Sequence, residues 1–215
     1  MTSAYTPANA PVDAAPLRVL GIDPGLNHTG WAVLERRRAA EPVVLASGVL
    51  NPPKDGMIAE RLGFITKGLC AVITEHAPTL AAIERVFVNV NPQSTLLLGQ
   101  ARGAAIVACS LSDLAVDEFT PSEIKEAVAG TGRADKLMIA KMIHTRLGVE
   151  KTLKPDEADA AAVALCLLQR LPLRALERSG STSRSYATAR RGRHVRAARA
   201  SWTTFAQDRS KKDSS

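Results

Sequence analysis

The sequence predicts an α/β domain with a mixed five-stranded sheet flanked by helices, in which three antiparallel strands precede two parallel ones. Three short apolar segments lie close together at residues 17–22, 31–34 and 43–50, and such spacing is typical of an antiparallel meander. Two further apolar segments, 80–83 and 114–119, each follow a stretch with helical periodicity. Strands that are joined through helices pair in parallel by crossover connections.

The helices are predicted from apolar periodicity and from residues that begin a helix. Apolar residues recur at helical spacing over 57–76 and over 94–111, and the second stretch is rich in small residues. Thr120, followed by Pro121 and by Glu123, is typical of a helix N-terminus with a capping box. The helices predicted for the second half of the chain span 120–130, 135–147 and 155–171.

Three regions are expected along the chain. Residues 1–16 are rich in Ala, Pro, Thr and Ser and are expected to be a disordered leader. Residues 17–171 form the folded domain, and residues 172–215 form a basic, disordered tail. The formal net charge of +7 conceals an asymmetry, because Arg170 to Ser215 hold 12 Lys/Arg and 3 Asp/Glu while the rest of the chain has a net charge of −2. A tail with a net charge of +9 favours a polyanionic partner.

The cysteines and the absence of targeting signals indicate a cytoplasmic protein. Cys70, Cys109 and Cys166 lie in apolar helical patterns without metal-ligand spacing, so they are expected to be buried, reduced thiols. Such thiols fit a reducing cytosol. No uninterrupted apolar run approaches the ~18 residues that suggest a membrane span, and the N-terminus does not resemble a secretory signal. We therefore expect no membrane association.

Four acidic residues occupy positions that suggest a metal site. Asp23 and Glu84 each follow a buried strand, and Asp156 and Asp159 share one face at the start of the last helix. A carboxylate beside a buried strand is costly unless something compensates its charge, and a divalent cation does so. The alternative is structural, since acids in the first turn of a helix also favour its dipole. By themselves these residues suggest no more than a metal-dependent hydrolase.

The sequence blocks around these acids make a specific resemblance. The first block is Leu20-Gly21-Ile22-Asp23-Pro24-Gly25, followed by Thr29-Gly30-Trp31. The second comprises Ile83-Glu84-Arg85-Val86-Phe87 and Leu98-Gly99-Gln100-Ala101-Arg102-Gly103, and the last is Pro155-Asp156-Glu157-Ala158-Asp159-Ala160. In order and spacing these blocks resemble the RuvC family of Holliday-junction resolvases, over residues 17–171.

The resemblance implies an RNase H-like domain that acts as a homodimer. Each subunit would cut one of two opposed strands of a four-way DNA junction during recombination and repair. The cofactor would be Mg²⁺, with Mn²⁺ as an alternative, at two ions per active site. By position, the metal-binding and catalytic acids would be Asp23, Glu84, Asp156 and Asp159. The sequence leaves open whether a branch-migration motor complex is a further partner.

The resemblance also implies residues that contact DNA. Lys125 and Lys136 fall where the family has lysines near the scissile phosphate, and Lys136 is assigned to the catalytic set as well. Phe87 falls where the family places an aromatic ring near the junction centre. Read without the resemblance, the lysines could belong to solvated helix faces and Phe87 to the core. The loop after Phe87, Val88-Asn89-Val90-Asn91, lacks the basic residue that many relatives carry.

Two arginines and a histidine complete the candidate residues. Arg85 and Arg102 are assigned to DNA binding, where they would contact phosphates, but structural ion pairs are an equal interpretation. His28, in the loop after Asp23, is interpreted as a plain turn residue.

Two alternative functions come from other classes of protein. Nucleotide-binding ATPases and sugar kinases of the actin-like class also have a strand followed by Asp-x-Gly, but they need a second domain and further Gly-rich phosphate loops. A non-catalytic protein that binds branched DNA is the other alternative, and the complete set of four acids argues against it.

Overall fold

The computed structural model describes residues 16–37, 41–85, 91–148 and 153–180, with the backbone alone described for Lys136 and for 172–180. The chain forms two compact units, the first ending at Pro172 and the second beginning at Leu173. The predictions of a disordered leader and of a disordered tail fall almost entirely outside the described residues, and they stay predictions.

The sheet has the predicted five strands in the order β3-β2-β1-β4-β5. β2 pairs antiparallel with both β1 and β3, while β4 pairs parallel with β1 and β5. The prediction of three antiparallel strands followed by two parallel ones is therefore confirmed. The strands are β1 Leu17–Asp23, β2 Thr29–Arg36, β3 Val43–Leu50, β4 Leu80–Glu84 and β5 Val116–Phe119.

In the described part of the chain, five helices cover the two faces of the sheet. They are α1 Ile58–His76, α2 Pro92–Leu111, α3 Pro121–Ala129, α4 Lys136–Leu147 and α5 Pro155–Gly180. Alternate residues of β1 point to opposite faces, so Leu20 and Ile22 pack in the cluster with α1 and α2, whereas Val19 packs with α3, α4 and α5. The sheet thus lies between two helical layers.

The helix starts follow from their capping residues. Thr120 accepts a hydrogen bond from the Glu123 amide, and the Glu123 carboxylate accepts one from the Thr120 amide at 2.8 Å, which confirms the predicted capping box. Gly130 ends this helix in the left-handed conformation. Asp135 and Asn91 cap α4 and α2 through their side chains.

The predicted end of the last helix is wrong. We expected α5 to end at Leu171, but its helical backbone continues to Gly180. Hydrophobic density falls after Pro172, but the residues that follow include Leu, Arg, Ala and Glu, which are good helix formers. The helical backbone therefore continues past the point at which apolar residues become sparse.

α2 has the length and hydropathy of a membrane-spanning helix, although no such segment was expected from its sequence. This is weak evidence, because a core helix of a soluble protein passes the same test. Ala101, Ala105 and Cys109 of this helix are fully buried against the sheet and α1. Thr66 of α1 also donates a hydrogen bond to the Ala104 carbonyl.

All three cysteines are free thiols, as expected, and two of them are buried. Burial raises the pKa of Cys109 to about 12 and that of Cys166 to about 11. Cys70 is only partly buried.

Candidate active site

The ends of two neighbouring parallel strands bring Asp23 and Glu84 together. Ile22 of β1 is paired with Ile83 of β4, and each acid is the next residue of its strand. Paired strands lie about 4.8 Å apart, so the two acids occupy adjacent positions at the carboxyl edge of the sheet. Both are half-buried.

The first turn of α5 is held against this edge by a glycine. Gly30 of β2 is paired with Asp23, and a Cβ atom at Gly30 would overlap the carbonyl oxygen of Asp156. One turn further along α5, a Cβ atom at Gly21 would overlap the carbonyl oxygen of Ala160. Because both strand residues lack side chains, α5 approaches the backbone of the β1–β2 hairpin directly beside Asp23.

A cavity of about 270 Å³ is lined by two of the four acids, Glu84 and Asp159. Glu84, Asp159 and Lys125 contribute its charged side chains. A cavity that combines two carboxylates with an ammonium group is suited to a phosphate ester held between a cation and the lysine. Its other lining residues are Pro121, Ile124, Ile139, Ala162 and Val163.

The chemistry of the four acids fits a hard divalent cation, which prefers carboxylate oxygens and water. The structure places Asp23 beside Glu84, the Asp156 backbone against Gly30, and Asp159 in the same cavity as Glu84. Within the described ranges, no three His, Cys, Asp or Glu side chains are gathered closely enough to hold one ion. The backbone therefore sets the positions of the acids, and binding of an ion requires their side chains to converge.

Comparison with known proteins identifies the family. Residues 19–167 match the family described as crossover junction endodeoxyribonuclease RuvC. The chain is also 47% identical, over 160 residues, to the crossover junction endodeoxyribonuclease RuvC of Hyphomonas neptunium, a match that covers 74% of this chain and 95% of the relative.

The chain belongs to the RuvC family.

Solved structures agree with this assignment. A Thermus thermophilus RuvC structure has a TM-score of 0.67 and 30% identity, covering 73% of this chain and 96% of that one. T. thermophilus RuvC in complex with Holliday junction substrate has a TM-score of 0.66 and 31% identity, covering 70% and 92%. The predicted RNase H-like fold is confirmed, and the family of this chain is one of hydrolytic endodeoxyribonucleases.

The two lysines implied by the RuvC resemblance lie on the helices that border the cavity. Lys125 lines it directly. Lys136 is the first residue of α4, and Ile139, one turn later, lines the cavity. Phe87 lies outside the described residues, so its predicted contact with the junction stays a prediction.

Arg85 and Arg102, the two arginines assigned to DNA binding, both form ion pairs with the same carboxylate. Glu118 of β5 makes ion pairs with Arg102 of α2 and, at 3.7 Å, with Arg85. The Arg102 side chain is 22% exposed and that of Arg85 is 51% exposed. Of the two interpretations given by the sequence, the structural ion pair is present, and Arg85 retains the greater access to a phosphate.

Sequence reasoning missed Glu118 and the residues that fasten the loop after Asp23. Glu118 lies in a strand without any motif, and its partners are distant in sequence, so no local pattern could have revealed it. His28 was interpreted as a turn residue, and its Nδ1 lies 2.7 Å from Oδ1 of Asn51, at hydrogen-bonding distance across the loop.

Proposed function

We propose that this RuvC-family chain resolves four-way DNA junctions by paired, metal-dependent phosphodiester cleavage during recombination and repair. The observation that carries the proposal is the position of Asp23, Glu84 and the start of α5 at one edge of the sheet. It is supported by the T. thermophilus relative described in complex with Holliday junction substrate. The family match also favours a nuclease over the nucleotide-binding and non-catalytic alternatives.

The four acids would hold the cofactor. Family membership implies dependence on a divalent metal, and we propose Mg²⁺, with Mn²⁺ as a substitute, at two ions per site. Such ions activate a water molecule and stabilise the leaving oxygen in phosphodiester cleavage. Asp23, Glu84, Asp156 and Asp159 are proposed as the ligands, because carboxylates fix the ions relative to the scissile phosphate.

The cations around the cavity would hold the DNA. Lys125 is proposed to contact the scissile phosphate, because it lines the same cavity as Glu84 and Asp159, and Lys136 is proposed for the same role. Arg85 would contact a neighbouring backbone phosphate, and Phe87 would stack on an unpaired base at the junction centre. Arg102, held by Glu118, would contribute positive charge beside these contacts.

Cleavage of a synthetic four-way junction tests the proposal. The parent protein should cleave in Mg²⁺ or Mn²⁺ and not after chelation. Asp23→Asn, Glu84→Gln and Asp156→Asn should each nearly abolish cleavage but retain junction binding, because metal positioning acts mainly on the transition state. Glu41→Gln, at an exposed position with no proposed role in the site, is the control and should cleave.

Two results would contradict the assignment. Cleavage by Glu84→Gln at the parent rate would show that the proposed site is wrong. Failure of the parent to cleave, together with turnover of ATP, would favour the nucleotide-binding alternative.

A homodimer would bring two such sites to one junction, and α2 is the proposed interface. Leu96, Val107 and Leu111 of this helix are 69%, 50% and 70% exposed, and their spacing places them with Gly103 along one stripe. Exposed apolar stripes of this kind mark interaction surfaces, and two symmetric cuts require twofold symmetry.

Light scattering should give a dimer for the parent and a monomer for Val107→Glu, whereas a monomeric parent on junction DNA would count against this interface.

We propose a cytoplasmic setting, because the three cysteines are free thiols and such thiols persist in a reducing compartment. A branch-migration motor complex is a proposed partner of the assembled dimer.

A further inference from the structure

The loop between Asp23 and Thr29 is fastened to the rest of the domain at several points. Within the loop, the Thr29 hydroxyl donates to the Gly25 carbonyl at 2.7 Å and accepts from the Gly25 amide at 3.3 Å. Thr29 is fully buried, and Leu26 is 8% exposed in the core cluster of α1 and α2. The loop is therefore a fixed part of the core rather than a free surface turn.

Arg61 of α1 joins this loop to the neighbouring helix. Its Nη2 donates to the Leu26 carbonyl at 3.1 Å and to Oδ1 of Asn27 at 2.7 Å. Its Nε is buried and has no hydrogen-bond partner in the described part of the chain. Burying an unsatisfied guanidinium nitrogen costs free energy, and in this position the partly buried side chain makes its two hydrogen bonds to the loop.

We propose that Arg61 is a positioning residue for the metal centre. It fixes the loop that directly follows Asp23, and so it holds the Asp23 carboxylate where a divalent cation must be bound. The proposal rests on the proposed function, because it requires Asp23 to be a metal ligand. In this proposal Arg61 acts through the loop, by its hydrogen bonds to Leu26 and Asn27, and not as a metal ligand.

Loss of Arg61 should affect the binding of the metal more than the rate of cleavage by the metal-bound enzyme. Without Arg61, the Asp23 backbone would sample more positions, and metal binding would have to restrict them. The metal affinity should therefore fall, whereas the rate at saturating metal should change little. Residues that orient metal ligands typically alter metal affinity by about 10–100-fold when they are replaced.

The test measures metal binding in two ways on Arg61→Met. Without DNA, the electron paramagnetic resonance signal of free Mn²⁺ gives the dissociation constant for the protein. With a four-way junction, the cleavage rate as a function of Mn²⁺ gives a midpoint and a saturating rate. We expect both the dissociation constant and the midpoint to rise by about tenfold, the lower end of the range for such residues, with a saturating rate close to that of the parent.

Arg36→Met is the matched control. Arg36 also donates from a guanidinium to a backbone carbonyl, that of Leu168 at 2.9 Å, but it lies at the opposite end of β2 from Gly30. It should lower the thermal unfolding temperature without changing the Mn²⁺ midpoint. If Arg61→Met does not fold, Arg61→Lys and Asn27→Ala take its place. Each of these variants should also raise the Mn²⁺ midpoint of cleavage.

The outcomes separate this inference from the proposed function. An unchanged midpoint in folded Arg61 variants, or an equal rise in Arg36→Met, would overturn the positioning role. Asp23→Asn is measured alongside, and parent-like Mn²⁺ binding and cleavage in that variant would instead show that the proposed metal site is wrong.

Discussion

Glu35 shows how a single buried charge is accommodated in this domain. Its side chain is 4% exposed and lies between Arg18, at 2.9 Å, and Arg37, at 2.8 Å. The hydrogen bond from Arg18 and the neighbouring guanidinium of Arg37 lower the pKa of this carboxyl, against the opposing effect of its burial. Arg18 also donates to the His76 carbonyl, so the network joins the amino end of β1 to the end of α1.

This shift predicts how stability depends on pH. A carboxyl with a lowered folded pKa stabilises the fold above its unfolded pKa, near the ordinary 4.5, and that contribution is lost as the pH falls through the lower folded value. Glu35→Gln should therefore be less stable than the parent at pH 7, and the difference should shrink below pH 4.5. Urea unfolding across this pH range measures both, with Glu41→Gln, an exposed position, as the control. A difference independent of pH would show that the ion pairs do not stabilise the fold.

At the same scale, the candidate site was only partly predictable. The sequence predicted that Asp23 and Glu84 each end a buried strand, whereas the structure was needed to show that these two strands are neighbours. The role of Arg102 did not follow from the sequence, since its partner Glu118 lies on another element. Such contacts depend on how a helix packs on the sheet, which local sequence patterns do not determine.

At the scale of elements, the position of α5 depends on the absence of two side chains. Gly21 and Gly30 let this helix contact the backbone of β1 and β2, and only Gly30 lies beside Asp23 and Asp156. A methyl group at either position forces the helix away from the sheet. Overpacking of this kind typically costs about 1–3 kcal/mol.

Gly30→Ala should therefore reduce cleavage more than stability alone explains. The displaced first turn of α5 would move Asp156 relative to Asp23, whereas Gly21→Ala would displace the helix one turn further along. Both variants should lose about 1–3 kcal/mol of unfolding free energy, but Gly30→Ala should have the lower junction cleavage rate at saturating Mg²⁺. Gly63→Ala is the control, because a Cβ atom there meets nothing within 4 Å. Equal cleavage by Gly30→Ala and Gly21→Ala would count against this account.

The elements themselves differed in how well the sequence predicted them. The start of α3 was predicted correctly because the capping box is a local pattern of Thr120, Pro121 and Glu123. The end of α5 was not, because hydrophobic density reports contacts with the core rather than backbone conformation. For the same reason, the richness of α2 in small residues did not indicate which of its faces stays exposed.

At the scale of the whole molecule, the proposed metal ligands and the excess positive charge lie in different parts of the chain. The residues before Arg170 have a net charge of −2, although they contain all four proposed metal ligands, whereas residues 170–215 have a net charge of +9. An acidic nuclease domain gains little from long-range attraction to DNA. A strongly basic segment attached to it would supply that attraction without regard to sequence.

The last prediction is that residues 172–215 tether the enzyme to DNA. Binding of Lys and Arg to phosphates releases counterions, so removing the segment should flatten the salt dependence of affinity. If it neutralises ~4 phosphates, the log–log slope should fall by roughly 3 to 4 units for duplex and junction alike. The truncation is made after Leu171, which keeps Arg170 and its ion pair with Glu123.

A full-length variant separates charge from chain length. In it, six arginines of the tail are changed to glutamine: Arg184, Arg190, Arg191, Arg193, Arg196 and Arg199. It should reproduce most of the slope change. Cleavage of saturated junctions and the preference for junction over duplex should survive in both variants, because the proposed active site and the folded dimer read the junction. An unchanged slope on both DNAs would refute the tether, whereas loss of cleavage at saturating enzyme would place the segment within the catalytic unit.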